Sequence, residues 1–429
     1  MKLIENKKIQ EKYYMEVLDN GLTVFLMPKN EFYKTYAIFA TKYGSRDTEF
    51  IPRGGSDYIK TPEGIAHFLE HKLFEQSDGT DASNIFATLG ADVNAFTTNS
   101  QTAYLFSTTS DVNECVELLL DFVQTPNFTK EGIEKERGII EQELLMYLDQ
   151  PQNIQYYGIL KALYKENSIR NEIGGSVESI KEIDEDLLYT CYNTFYHPSN
   201  MVISIIGNFD KDEMLDLIKN NQNNKTFDEP LEIKRKYQID SDDINEKNSF
   251  TDMNVAIPKA TIGIKFPYVK LNPLESLKRF TSLEILIDLY FGESTNVYEE
   301  LINDGYINNS FEYSLYYDET YGHLLISDDS FDPDRFLNKM KEIFLQMKTN
   351  TINIEDFNRM KKLYLARAIK RFNSLEYVAN SVVESYMDGH NIFDYIKVLN
   401  EIEIEDILSV RYLFDEKYIS TFTIFPKEE

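Results

Sequence analysis

A histidine–glutamate–histidine pattern on one predicted helix is the feature of this sequence best suited to chemistry. His67, Glu70 and His71 lie in the segment IAHFLEHKLF. The histidines are one helical turn apart, so both imidazoles project from the same face and can share a metal ion. Zinc held by two neutral imidazoles and one carboxylate keeps an open position for water and lowers the pKa of that water, whose proton Glu70 would accept. The pattern predicts zinc-dependent hydrolysis of peptide bonds.

The alternative is that His67 and His71 are ordinary core or surface residues of an apolar helix. The chain has only five histidines in 429 residues, and two of them occur at this spacing with a glutamate between them. That combination favours the metal site.

A third ligand must come from another segment, and the predicted helix EKERGIIEQELLMY supplies four candidate glutamates. At about 100° per residue, Glu136 and Glu143 flank the apolar stripe of this helix, whereas Glu134 and Glu141 lie on its opposite side. A carboxylate beside a buried stripe needs a partner, and a metal ion or a metal-bound imidazole can provide one. We expect Glu143 to be the ligand and Glu136 to orient a histidine or the water network. An ordinary solvated charged face is the alternative.

The elements that must position these residues are predicted strands and helices. The first half opens with a hairpin, YYMEVLDNGLTVFLMP, and KTYAIFATKYG follows as a third strand. The histidine-bearing helix is predicted to start near Thr61, which can cap it, and Pro62 fits its first position. Strands ADVNAFTT and QTAYLFSTT form a second hairpin, a helix from about residue 129 to 148 carries the glutamates, and NMVISIIGN is a further strand.

The second half repeats this order of elements. Strand KATIGIKFP, helix ESLKRFTSLEILIDLYF, strands near 306–327 and a closing strand, YISTFTIFP, follow a polar stretch. HFLEHKLF falls opposite EILIDLYF, which puts Glu284 and Asp288 at the histidine positions, so we expect one zinc ion per chain. The predicted fold is α+β, with two homologous α/β-roll domains that each contain a mostly antiparallel sheet flanked by helices. The predicted divisions are a catalytic zinc-binding domain (1–215), a linker (216–250) and a non-catalytic domain (251–429).

Composition narrows the choice of partners and compartment. The chain has 44 Lys+Arg against 72 Asp+Glu, and its net charge of −28 disfavours nucleic acid and anionic membranes. This charge either favours basic peptides or only keeps the protein soluble. Cys115 and Cys191 form no disulfide framework or metal-binding motif. The N-terminus lacks the apolar stretch of a signal peptide, and no run is long enough to span a bilayer, so we expect a cytoplasmic protein.

Taken together, these segments resemble the pitrilysin-like zinc peptidases, which include insulin-degrading enzyme and the mitochondrial processing peptidases. The resemblance covers nearly the whole chain. It rests on HFLEH, GSRD, GADVNAFTT, EKERGIIEQE, FYHPSNM and the duplication of the half-chain.

The resemblance implies roles for individual residues. His67, His71 and Glu143 correspond to the zinc ligands, Glu70 to the general base and Glu136 to a supporting glutamate. It also implies that the strand containing Asn94, Ala95, Phe96 and Thr97 pairs with extended substrate through its main chain. The alternative for this strand is an interior position needed only for the sheet.

Two departures from the family pattern affect these assignments. The interval between His71 and Glu143 is a few residues shorter than is usual, so the ligand assignment depends on the ERGIIEQE match. We take Arg371 with Tyr377 as a candidate for the arginine–tyrosine pair that many relatives contribute from a C-terminal half.

The expected function is that of a zinc endopeptidase or oligopeptidase acting on short or unfolded peptides. A non-catalytic peptide-binding or scaffold subunit is the alternative, since the family contains such proteins. The longest relatives carry four units like the two found here and close two halves around the substrate. We therefore expect a homodimer, or a heterodimer with a related inactive chain, that encloses a chamber. Both leader-peptide processing and general peptide turnover fit this expectation.

Overall fold

The computed structural model describes residues 1–427. Its strands, in chain order, are β1 (Lys2–Asn6), β2 (Glu11–Val17), β3 (Thr23–Pro28), β4 (Thr35–Thr41), β5 (Glu49–Phe50), β6 (Ile59–Lys60), β7 (Asp92–Thr97), β8 (Thr102–Thr108), β9 (Met201–Gly207), β10 (Asn248–Met253), β11 (Lys259–Lys265), β12 (Glu312–Tyr317), β13 (Gly322–Asp329) and β14 (Ile419–Pro426). Its helices are α1 (Ile65–Lys72), α2 (Ala82–Thr88), α3 (Val112–Gln124), α4 (Lys130–Leu148), α5 (Pro151–Leu163), α6 (Val177–Ile180), α7 (Glu185–Phe195), α8 (Lys211–Asn223), α9 (Pro273–Phe291), α10 (Asn296–Asn303), α11 (Pro333–Thr349), α12 (Ile354–Arg371), α13 (Leu375–Met387), α14 (Ile392–Glu401) and α15 (Ile404–Val410).

The first of two compact units contains a seven-stranded sheet. It comprises residues 1–144, 172–236 and 369–392. The strand order is β1-β2-β3-β9-β4-β8-β7, and every pair except β3 with β9 is antiparallel. The central strands β4 and β9 are buried at every residue, which explains their almost continuously apolar sequences, TYAIFAT and MVISIIG. Helices α1, α2 and α3 pack against β7 and β8 of this sheet.

The second unit contains a five-stranded sheet. It comprises residues 145–171, 237–368 and, as far as the structure describes the chain, 393–427. The strand order is β10-β14-β11-β13-β12, and only β10 with β14 is parallel. Helices α5 and α11 pack against its strands. The prediction of an α+β fold with two mostly antiparallel sheets flanked by helices is therefore confirmed.

Each unit takes one helix from the other half of the sequence. Helix α13, from the second half, packs on β4 and β9 of the first sheet. Helix α5, from the first half, packs on β11 and β14 of the second sheet. The compact units therefore depart from the sequence-based division at residues 145–171 and 369–392.

The predicted linker is partly ordered. Helix α8 extends into it, and no helix or strand is assigned from residue 224 to residue 247. Within the second unit, Asp240 accepts hydrogen bonds from three successive backbone N–H groups at residues 165–167 and pairs with Lys265 at 2.9 Å. Both charged side chains are almost completely buried, so this part of the linker is anchored by an ion pair that its polar composition did not predict. No helix within residues 1–427 is long and apolar enough to cross a membrane.

Candidate metal centre

Helix α1 carries the histidine pattern and begins later than predicted. Its N-cap is Gly64, with a left-handed φ of 90°, and no side chain caps it. A Cβ at Gly64 would overlap the carbonyl oxygen of Gly174, so only glycine allows this close approach. Thr61 does not cap the helix, because it is buried and donates instead to the carbonyl of Thr48. The cap prediction was therefore wrong.

Three side chains from α1 and α4 converge on one point. The Oε2 atom of Glu143 lies 3.9 Å from Nε2 of His67 and 3.6 Å from Nε2 of His71. Among residues 1–427, these three form the one group of His, Cys, Asp or Glu side chains placed to share a metal ion, with ligand atoms all within 4.8 Å of one another. The sequence-predicted ligand set is thus brought together by the fold.

The donor set and its spacing fit a zinc ion. Ligands about 2.0–2.1 Å from a tetrahedral zinc lie roughly 3.3–3.4 Å from one another, so the Glu143 oxygen is within about 0.2–0.6 Å of that spacing from both imidazoles. Burial, reinforced by the charge of His71, lowers the pKa of His67 to about 4. His67 is therefore a neutral imidazole at neutral pH, which is the form that binds zinc.

Glu136 orients the second histidine. Its Oε1 atom lies 3.0 Å from Nδ1 of His71, which leaves Nε2 of that ring directed at Glu143. Burial lowers the pKa of His71, but the hydrogen bond to Glu136 and the nearby carboxylates outweigh burial and leave this pKa raised. A carboxylate behind a metal-binding imidazole fixes its tautomer and ring orientation. Glu134, in contrast, is mostly exposed and pairs with Arg137.

Glu70 stands beside the histidines without joining the ligand set. Its side chain is buried, and its Oε2 atom accepts a hydrogen bond of 2.5 Å from the hydroxyl of Thr97. Burial raises the pKa of Glu70 and outweighs the opposing effect of this hydrogen bond. The contact with Thr97 was missed by sequence reasoning, because it joins a helix to a strand 27 residues later.

The strand predicted to pair with substrate is an edge strand. Residues 94–97 lie in β7, which is the last strand of the first sheet and pairs only with β8 among the described strands. The alternative of an interior strand was therefore wrong. Asn94 is exposed, Ala95 and Phe96 are partly exposed, and Thr97 directs its hydroxyl at Glu70. The outer edge of β7 offers main-chain groups for pairing with a further strand.

The second unit has no histidine at the corresponding positions. Asp288 accepts a hydrogen bond of 2.8 Å from Tyr313 and lies 3.4 Å from the guanidinium of Arg367. Glu284 accepts a hydrogen bond from Tyr395 at 3.1 Å. These carboxylates are thus held by tyrosine and arginine side chains of their own unit.

The candidate arginine–tyrosine pair is formed within the first unit. Nη1 of Arg371 lies 3.3 Å from the hydroxyl of Tyr377, and the guanidinium stacks over the tyrosine ring at 5.1 Å. The role that the resemblance implies for this pair stays a prediction.

Two family models match this chain. The model described as Insulinase (Peptidase family M16) matches residues 53–176, and the model described as Peptidase M16 inactive domain matches residues 182–364. The first match contains His67, His71 and Glu143, and the second contains Glu284 and Asp288.

Known proteins resemble the chain along nearly its whole length. The uncharacterized zinc protease YmfH of Bacillus subtilis (strain 168) is 40% identical over 414 residues, covering 96% of this chain and 95% of the relative. An uncharacterized zinc protease of Rickettsia felis is 23% identical over 415 residues, covering 94% of each. A crystal structure from Alicyclobacillus acidocaldarius, described as M16-like peptidase, has a TM-score of 0.92 and 34% identity, covering 97% of this chain and 98% of that one. The structure of a protease from Helicobacter pylori, with a TM-score of 0.84 and 17% identity over 97% of this chain and all of that one, shares the fold.

Proposed function

The chain belongs to peptidase family M16, the insulinase family, and we propose that it is an active zinc-dependent peptidase that cleaves short or unfolded peptides. The observation that carries this proposal is the convergence of His67, His71 and Glu143, with the carboxylate of Glu70 on the same helix as the histidines. The complete set of these four residues argues against a subunit that keeps the fold but has lost the chemistry.

Each residue of the site has a proposed role. His67, His71 and Glu143 would hold one zinc ion, which when bound would polarise the scissile carbonyl and lower the pKa of a water molecule. Glu70 accepts the proton of the attacking water and delivers it to the leaving amine. Its raised pKa suits this work, because a general base is most effective when its pKa approaches the working pH. Glu136 holds the imidazole of His71 in the ligand orientation.

The substrate is proposed to bind as an added strand along β7. Main-chain hydrogen bonds to the edge at residues 94–97 would hold an extended peptide with limited dependence on its side chains. Only peptides that can become extended would fit, which is why short or unfolded chains are the proposed substrates.

We also propose that the active form is a cytoplasmic dimer, either with itself or with a related chain that lacks the zinc motif. A second chain would enclose the substrate and exclude water from the reaction. If part of the net charge of −28 faces the substrate, peptides rich in Lys and Arg would be preferred, and added salt would weaken this preference.

The experiment that tests the proposed function combines a zinc measurement with a peptide assay. The wild-type chain is expected to contain one zinc and to cleave an internally quenched peptide. Glu70→Gln should keep the zinc but lose about a hundredfold or more in turnover, because the amide cannot accept a proton. Glu141→Gln, on the far side of α4 from the ligand face, is the matched control and should behave like wild type. A zinc-loaded wild type that binds the peptide but does not cleave it would favour the scaffold alternative.

A further inference from the structure

A fully buried lysine lies directly after the second histidine and has no part in the proposed chemistry. Lys72 is the last residue of α1, and none of its side chain is exposed. Its Nζ atom forms an ion pair with Glu75. Burying an ammonium group costs several kcal/mol unless it is paired, so a lysine in this place needs a structural reason.

The ion pair of Lys72 and Glu75 is seated on the backbone of the second ligand-bearing helix. A Cβ at Gly132, in the first turn of α4, would overlap Nζ of Lys72 and would lie 2.9 and 3.0 Å from the two carboxylate oxygens of Glu75. Contacts of a Cβ atom are ordinary only from 3.4 Å upward, so a methyl group at Gly132 would displace the charged ends of the Lys72 and Glu75 side chains. The absence of a side chain at Gly132 therefore lets the pair reach α4, although glycine inside a helix costs about 1 kcal/mol relative to alanine.

The two charges of the pair act together at the helix ends that they join. Lys72 is at the C-terminal end of α1, where a cation is favoured. Its Nζ atom also lies nearest to Gly132 in the first turn of α4, where a cation is disfavoured, and the Glu75 carboxylate offsets that charge there. The pair thus holds the end of α1 against the start of α4 as a neutral unit.

The nearest residues of the metal centre lie within one helical turn of the contact between the Lys72–Glu75 pair and Gly132. His71 immediately precedes Lys72, and Glu136 lies one turn after Gly132, about 6 Å along the axis of α4. The 3.0 Å contact between His71 and Glu136 joins the same two helices. An increase in the separation of α1 and α4 at Gly132 would therefore displace His71 relative to α4 first, and then affect the contacts of Glu143 farther along α4.

We propose that the Lys72–Glu75 pair, seated on Gly132, is a positioning device that sets the separation of α1 and α4 and thereby the metal affinity of the site. The inference rests on the proposed function, because it takes α1 and α4 as the helices that carry the ligands. A metal site must be held within about 0.5 Å of its productive geometry, and this pair, whose lysine is completely buried, is a contact between α1 and α4 beside the ligands.

Two glycine-to-alanine substitutions on the same helix test the proposal. Gly132→Ala places a methyl group against the ion pair, whereas a Cβ at Gly138 would meet nothing within 4 Å. The full-length proteins are titrated with zinc against a chromophoric chelator, and the thermal unfolding of the zinc-free forms is recorded. We expect Gly132→Ala to weaken zinc binding about 10- to 100-fold, the range seen when supporting residues of metal sites are changed. Gly138→Ala should bind zinc like wild type and unfold at the same or a higher temperature.

A double-mutant cycle separates positioning from general destabilisation. Lys72→Met and Gly132→Ala disturb the same contact, so their effects on the zinc dissociation constant should be less than additive. Glu75→Gln, at a partly exposed position, is the milder variant and should weaken zinc binding in the same direction if Gly132→Ala does not fold. Equal zinc affinities for Gly132→Ala and Gly138→Ala, or for Glu75→Gln and wild type, would overturn the proposal. Failure of the wild type itself to bind zinc would instead overturn the proposed function.

Discussion

Replacing Thr97 by valine removes one hydroxyl group and leaves the shape of the side chain almost unchanged. In the structure that hydroxyl donates a 2.5 Å hydrogen bond to Glu70, whose side chain is only 8% exposed. In the variant, the buried carboxylate of Glu70 loses this donor and with it the contact that fixes its orientation beside the histidines. The substitution therefore separates two roles for Thr97, namely orienting Glu70 and contacting substrate as part of β7.

The size of the effect follows from the strength of this hydrogen bond. A hydrogen bond to a charged group contributes about 1.5–3 kcal/mol. If that energy is needed to hold Glu70 in its working position, turnover should fall about 10- to 150-fold. Loss of the hydrogen bond also removes an influence that lowers the pKa of Glu70, so the acidic limb of the pH–rate profile should move to higher pH.

Steady-state kinetics with a quenched peptide decide between the two roles. We expect Thr97→Val to lower kcat with little change in KM, and Thr97→Ser, which restores the hydroxyl, to recover most of the activity. Zinc content should be unchanged in both variants. A raised KM with normal kcat would refute this reasoning and would mean that Thr97 acts on the substrate rather than through Glu70.

Three further substitutions test other parts of the structure. Glu136→Gln should weaken zinc binding about 10- to 100-fold in a chelator competition, since the amide is a poorer partner for His71; affinity like that of wild type would contradict the orienting role. Gly64→Ala should lower the melting temperature measured by circular dichroism, because the added Cβ overlaps a carbonyl oxygen and φ is 90°; an unchanged value would contradict this. Burial lowers the pKa of His323 to about 3, whereas the pKa of the same imidazole in the unfolded chain is about 6.5. The contribution of His323 to the free energy of unfolding therefore falls as the pH drops from about 6.5 towards 3, because only the unfolded state takes up the proton. His323→Phe should therefore flatten the fall in unfolding free energy over this range by up to about 1.4 kcal/mol per pH unit in denaturant titrations, and an unchanged slope would contradict the assignment.

The local parts of the site could be predicted from sequence because helical periodicity fixes them. The spacing of His67 and His71 depends only on the 3.6-residue turn, and the same turn places Glu136 and Glu143 on one face of α4. Strands and hairpins with strong alternation or apolar runs were also predicted correctly, because these patterns are local to the segment, as the pairing of β7 with β8 shows. These features need no knowledge of distant neighbours.

The features that escaped prediction all depend on contacts between distant segments. Helix α13 has an apolar face, but that face does not reveal that the first sheet, rather than the second, is its partner. The start of α1 was placed too early because the close approach of Gly64 to Gly174 outweighs the local capping signal of Thr61. Likewise, the sequence identifies Gly132 only as a poor helix former, because its contact with Lys72 becomes known only from the structure.

The site itself can be examined directly by anomalous X-ray diffraction at the zinc absorption edge, on crystals of the wild-type chain grown without chelator. The account predicts one strong anomalous peak per chain, about 2.0–2.2 Å from His67, His71 and Glu143, and none beside Glu284 and Asp288. A zinc-containing crystal with no peak between the two histidines, or with an equal peak in the second unit, would contradict it.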